Sequence, residues 1–121
     1  MSQAAKWNAT EAVELAQGKI HYRDTGEGEV LLFVHGLLVD GTVWHDAVTR
    51  LASKYRCIVP DLPLGSHPEA MHPDADLSPG GIARLIGDFI KALDLEQVTL
   101  IGNDTGVPLC QVFAASRPDR L

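Results

Sequence analysis

The chain has 121 residues, 45% of them hydrophobic, and a formal net charge of −6. That is the length of one domain, with enough apolar side chains for a real core and none of the composition of a disordered chain. The charge is spread without a basic cluster, which argues against nucleic acid, and no run approaches the about 18 apolar residues of a membrane-spanning helix. The N-terminus, MSQAAKWNATEAVELAQG, lacks the apolar core of a secretory signal, so a cytoplasmic protein with no membrane partner is expected.

Glu11–Ala16 and Lys19–Arg23 read as two short strands meeting at Gly18, a hairpin signal. DTGEGE then turns the chain into VLLFVHG, whose continuous apolar run Val30–Val34 suits a strand buried on both faces, as in a parallel sheet. Thr42 is placed to cap a helix with Val43, Trp44, Ala47, Val48 and Leu51 on one side. RCIVPDL is the next buried strand, followed by a turn-rich loop from Pro63 to Leu77. Ser78-Pro79 opens the clearest helix: serine caps well and proline is preorganised for the first helical position. Its Ile82, Leu85, Ile86, Phe89, Ile90 and Leu93 follow at amphipathic spacing. VTLIGND is the last strand, and the helix after it is expected to stop at Ser116-Arg117-Pro118. Cys57 and Cys110 both sit in apolar surroundings and are expected to be buried, reduced and inert.

After the hairpin, strands alternate with helices, the pattern of an α/β fold: a mostly parallel sheet of about five strands with flanking helices, in a single domain. Ligand sites in such sheets lie beyond the carboxyl ends of the strands. Three candidates stand there: His35-Gly36, Asp61 and Asp104.

The strongest signal is Gly102-Asn103-Asp104-Thr105-Gly106, a strand-to-helix elbow of the form G-x-nucleophile-x-G. The flanking glycines leave room for a tight, strained turn that projects position 104 from the sheet at a helix N-terminus, where a carboxylate is favoured. A plain helix cap is the simpler role for an aspartate there. The earlier strand ending in His35-Gly36 lowers the weight of that simpler role. An oxyanion hole in this architecture takes one N–H from the residue after the elbow and one from the loop after that strand, the places of Thr105 and Leu37. His35 reads as a residue steadying that loop and not as a general base. HPEAMHPDAD holds His67, His72, Asp74 and Asp76 at an irregular spacing that matches no metal site, so a solvated loop and no metal or cofactor is expected.

HYRDTGEGEVLLFVHG, CIVPDLPLGSH and LIGNDTG…RPDRL together resemble the N-terminal half of α/β-hydrolases, over nearly the whole chain. Asp104 makes the chain similar to the aspartate-nucleophile branch, the haloalkane dehalogenases and epoxide hydrolases. The resemblance implies Asp104 as nucleophile, Leu37 and Thr105 as oxyanion donors, His35, Gly36, Gly102 and Gly106 as residues shaping the loops, and a small-molecule substrate. Two departures bear on substrate: Thr105 stands where the dehalogenases carry tryptophan, and Leu37-Leu38 where an asparagine and proline are common. The family pattern also places a cap, a further acid and a catalytic histidine after the matched region. The chain therefore resembles a portion truncated before the cap and the C-terminal strands, expected to be inactive alone and to offer VTLIGND as a sheet edge to a C-terminal half or a second copy.

Two other readings compete. A non-catalytic α/β domain would keep the elbow for structure and act by binding. The tripeptide Asp-Thr-Gly, present at Asp24–Gly26 and Asp104–Gly106, also resembles the motif of dimeric aspartic proteases, an almost wholly β fold. An aspartate, ionised at neutral pH, separates the chemistries. Against an ester it would form a mixed anhydride, whereas at an sp³ carbon bearing a leaving group it gives an alkyl ester that water can cleave.

Overall fold

The computed structural model describes residues 7–115 and 119–121, so the expected helix stop at Ser116-Arg117-Pro118 falls outside the described residues. Five strands, β1 (Glu11–Leu15), β2 (Gly18–Thr25), β3 (Glu29–Val34), β4 (Tyr55–Pro60) and β5 (Thr99–Gly102), form one sheet in the order β1-β2-β4-β3-β5. The β1–β2 and β2–β4 pairs are antiparallel and the β3–β4 and β3–β5 pairs parallel. Only β2 runs against the rest, so the sheet is mixed but mostly parallel. Helices α1 (His45–Leu51), α2 (Pro79–Ala92) and α3 (Gly106–Ala115) supply the crossovers and flanks.

The continuous apolar run of β3 is buried on both faces, with alternate residues going to opposite sides. Val30, Leu32 and Val34 join Ile58 in a core completed by Ile82, Leu85, Ile86, Phe89 and Ile90 of α2 and Leu109 of α3. Leu31 and Phe33 join Cys57 and Val59 against Val48 of α1 and the Trp44 ring. The five fully buried side chains of α2 remove enough apolar surface from water to contribute roughly 10 kcal/mol before entropy is counted. Ser78 caps this helix, its hydroxyl accepting from the Gly81 N–H at 3.2 Å, with Pro79 in the first turn.

Two local expectations are corrected. The α1 region opens as a short 3-10 turn, Gly41–Trp44, capped by Asp40 and not by Thr42; the Asp40 carboxylate accepts the Thr42 N–H at 2.8 Å. Aspartate is the stronger cap, and the tighter turn swings Val43 out to 50% exposure. Cys57 is buried, but Cys110 is only half-buried because α3 lies at the margin of the sheet. Burial raises the pKa of both thiols. The wholly β architecture of an aspartic protease is contradicted outright by α2 and its two-faced parallel sheet.

β3 has β4 on one side and β5 on the other, with α1 packed on one face and α2 and α3 on the opposite face. The chain thus reverses its winding direction at β3, which opens a crevice beyond the carboxyl ends of these strands.

Candidate functional site

Three loops meet in that crevice, following β3, β4 and β5. The β3 loop is fixed from beneath by His35, which has no exposed surface. Its Nε2 accepts the Leu62 N–H at 2.8 Å and its Nδ1 lies 2.8 Å from the Gly36 carbonyl. Accepting at Nε2 puts the proton on Nδ1, which donates to Gly36, so the ring is neutral and both nitrogens are engaged. Burial is the main cause of its lowered pKa, outweighing the Gly36 bond and the nearby Asp61 and Asp40 carboxylates.

Asp61, the strand-end candidate of β4, is buried and committed to structure. Arg23 binds it through Nη1 at 2.8 Å, and the Gly41 N–H donates to the same oxygen at 2.8 Å. Arg23 also donates to the carbonyls of Trp7 at 2.8 Å and Val59 at 3.2 Å, with Trp7 stacked 4.9 Å from the guanidinium. A buried pair with this many partners ties β2, β4 and the loop after β3 together. Nothing in the sequence links Arg23 to Asp61; the antiparallel β2–β4 pairing does so, in three dimensions only.

The β5–α3 turn presents Asp104. Its φ is +56°, a left-handed conformation that a side chain adopts at a cost of about 1–2 kcal/mol. Gly106 N–H donates to the Asn103 carbonyl at 2.8 Å and Val107 N–H to the Asp104 carbonyl at 3.0 Å, closing the turn into α3. Gly106 is compelled: a Cβ there would overlap the Val34 carbonyl oxygen and lie 2.9 Å from that of His35. At Gly102 a Cβ would stand 3.0 Å from the backbone of Gly106 and Val107. At Gly36 it would stand 3.1 Å from the Asp104 Cβ and 3.2 Å from both Asp104 Oδ2 and Thr105 Oγ1. These glycines let the β3 loop and the β5 turn close on each other, and Asn103 N–H seals the contact by donating to Val34 at 3.2 Å.

Asp104 and Thr105 are exposed at the rim of this contact. Beside them lies an apolar cleft of about 310 Å³, lined by Leu37, Leu64, Leu77, Ile82, Thr105 and Leu109 among others. A larger cavity of about 400 Å³ between α2 and α3 touches neither Asp104 nor Thr105. Of these two, only the apolar cleft reaches the turn that carries Asp104, through Thr105. The sequence reading missed one contact here: the Leu37 N–H donates to the Thr105 hydroxyl at 2.7 Å.

The loop residues His67, His72, Asp74 and Asp76 do not converge. His72 lies 3.4 Å from Glu14, while Asp76 accepts from the Ser78 N–H at 3.0 Å and from Arg84 at 2.6 Å. Among the described residues no three His, Cys, Asp or Glu side chains are grouped to hold a metal ion. Among them, too, no helix is long and apolar enough to cross a membrane.

Residues 29–121 match the family model described as alpha/beta hydrolase fold. An uncharacterised protein of Mycobacterium tuberculosis is 35% identical over 83% of the chain, which corresponds to 30% of that protein's length. Haloalkane dehalogenase 2 of the same organism is 31% identical over 88% of the chain and 37% of its own length. The crystal structure of an epoxide hydrolase from Vigna radiata superposes with a TM-score of 0.81 at 29% identity, over 92% of the chain and 36% of that structure. The chain thus spans about a third of the length of these relatives.

Proposed function

Since the chain belongs to the α/β-hydrolase fold family, we propose that it carries the nucleophile half of a hydrolase acting at sp³ carbon, on an alkyl halide or an epoxide. Asp104 is the nucleophile. One carboxylate oxygen forms a C–O bond as the carbon–halogen or carbon–oxygen bond breaks, leaving an alkyl ester of Asp104 and a halide or an alkoxide. Water then attacks the ester carbonyl, and the oxyanion that forms is received by the Leu37 and Thr105 N–H groups.

The observation that carries this reading is the backbone of Asp104. A left-handed φ of +56° on a non-glycine residue, held between three glycines and next to Thr105, which lines an apolar cleft, is strain that a mere helix cap does not require. Similarity to a haloalkane dehalogenase and an epoxide hydrolase supports the same chemistry. The second step needs a general base, which contributes roughly 10²–10⁴-fold. His35 cannot supply it, since both its ring nitrogens are engaged, and the family pattern places the catalytic histidine after the region matched here. The 121-residue chain by itself is accordingly expected to stop at the ester.

Single-turnover hydrolysis in ¹⁸O-labelled water, in a protein that contains the base, tests the order of events. Label is expected in the Asp104 carboxylate, because water attacks the ester carbonyl. Label found in the alcohol alone would exclude the ester and favour direct attack by water. Binding of substrate with no conversion and no adduct at Asp104 would favour the non-catalytic binding domain.

A further inference from the structure

The Leu37 N–H, one of the two amides assigned to the oxyanion, already holds an oxygen: the Thr105 hydroxyl, at 2.7 Å. That hydroxyl and Asp104 Oδ2 both stand 3.2 Å from the place a Gly36 Cβ would take. The loop does not depend on this bond. Leu38 N–H donates to the Leu64 carbonyl at 2.8 Å, the Ser66 hydroxyl donates to the Leu38 carbonyl at 2.9 Å, and His35 joins Gly36 to Leu62. The contact is thus redundant for holding the loop, yet it fills the position at which a substrate oxygen would be received.

Resting on the nucleophile reading above, we propose that Thr105 is the resting occupant of the oxyanion site and a specificity-determining residue for the reaction. Its hydroxyl must rotate away from Leu37 before the ester oxygen enters. A neutral carbonyl oxygen gains little by replacing a neutral hydroxyl on the same N–H. A developing oxyanion forms a charge-assisted bond of about twice the strength and displaces it. Displacement still takes about one neutral hydrogen bond away from the stabilisation of the oxyanion, so the occupant slows any reaction that passes through the hole. It selects against free carboxylic esters as substrates and leaves the carbon-centred first step, which does not use the hole, to proceed.

The test uses the 121-residue chain alkylated at Asp104 with a primary alkyl bromide, freed of reagent and treated with hydroxylamine. The hydroxylamine nitrogen forms a C–N bond to the ester carbonyl, the C–O bond to the alcohol breaks, and the nitrogen's proton ends on the alcohol. Loss of the alkyl mass reports passage through the oxyanion. Thr105→Ala, which empties the hole, is expected to lose the alkyl group about fivefold faster than the parent, the equivalent of one neutral hydrogen bond removed from competition. Thr105→Ser, which keeps the hydroxyl, is expected at the parent rate. In Thr105→Ala the Leu37 amide also exchanges with solvent faster, and in Thr105→Ser it does not. An equal or slower rate in Thr105→Ala overturns the proposal, a slower one making the hydroxyl a donor to the oxyanion. A parent chain that takes no alkyl group at Asp104 fails one stage earlier and overturns the nucleophile reading itself.

Discussion

The tripeptide Asp-Thr-Gly occurs twice, and the two copies meet different fates. At Asp24–Gly26 it ends β2. Asp24 pairs with Arg56 through two hydrogen bonds of 3.0 and 2.7 Å, and Gly26 turns the chain at a φ of +89° under the carbonyls of Ala52 and Tyr55. At Asp104–Gly106 it opens α3, and the aspartate itself takes the left-handed conformation while its carboxylate has no cationic partner among the described contacts. The glycines do the same work in both places, since each lies so close to carbonyl oxygens that a Cβ would overlap them. The aspartates do not. One is neutralised by a neighbour on the adjacent strand, and the other is held under backbone strain at a helix N-terminus beside an apolar cleft. Three letters of sequence do not set chemistry; the end of the strand they occupy does.

The largest effects should fall where the copies are alike. Gly26→Ala and Gly106→Ala are each expected to destabilise the fold by about 3 kcal/mol or more, through backbone overlap at both sites and positive φ at Gly26. Urea unfolding measures both, and a cost below about 1 kcal/mol at either would break the likeness of the glycines.

pH probes the floor beneath the second copy alone. His35 has a folded pKa below its ordinary 6.5. The unfolded chain therefore binds this proton first, and stability falls as pH drops below 6.5 towards the folded value, by at most about 1.4 kcal/mol per pH unit. Carboxylates held low in the fold, Glu69 by His21 and Asp76 by Ser78, weaken it only below their ordinary 4.5 and 3.8. A stability profile flat between pH 6.5 and about 5, or a slope that persists in His35→Gln, would contradict this assignment.

The aspartates should then move in opposite directions. Asp104→Gly relieves the left-handed backbone and is expected to stabilise the chain by about 1 kcal/mol, while removing the proposed nucleophile. Asp24→Ala is expected to lose only about 0.2–1 kcal/mol, because its partner Arg56 is on the surface. A destabilised Asp104→Gly would mean that the carboxylate serves the fold after all.

Much of this was legible in the residues. The uninterrupted Val30–Val34 run, the Ser78-Pro79 cap and the spacing from Ile82 to Ile90 each name an element, because burial and capping act locally. The tight turn from β5 into α3 was legible because its glycines mark a sharp change of chain direction within a few residues. What escaped were contacts between distant segments. Asp61 looked like a site residue until β2 brought Arg23 beside it, and Thr105 counted only as an amide until its side chain met Leu37 across 68 positions. The Asp40 cap was missed because Asp40 and Thr42 are both capping residues two positions apart, and the choice between them depends on a 3-10 turn that periodicity does not register.

The most direct measurement is to treat the 121-residue chain with a primary alkyl bromide and map the adducts by peptide mass spectrometry. Burial raises both thiols and keeps them slow, and a Cys110→Ser background removes the more accessible one. The account predicts a single stable ester on Asp104, absent in Asp104→Asn, with Asp24 unmodified. Equal modification of Asp24 and Asp104, or none at Asp104, would contradict it.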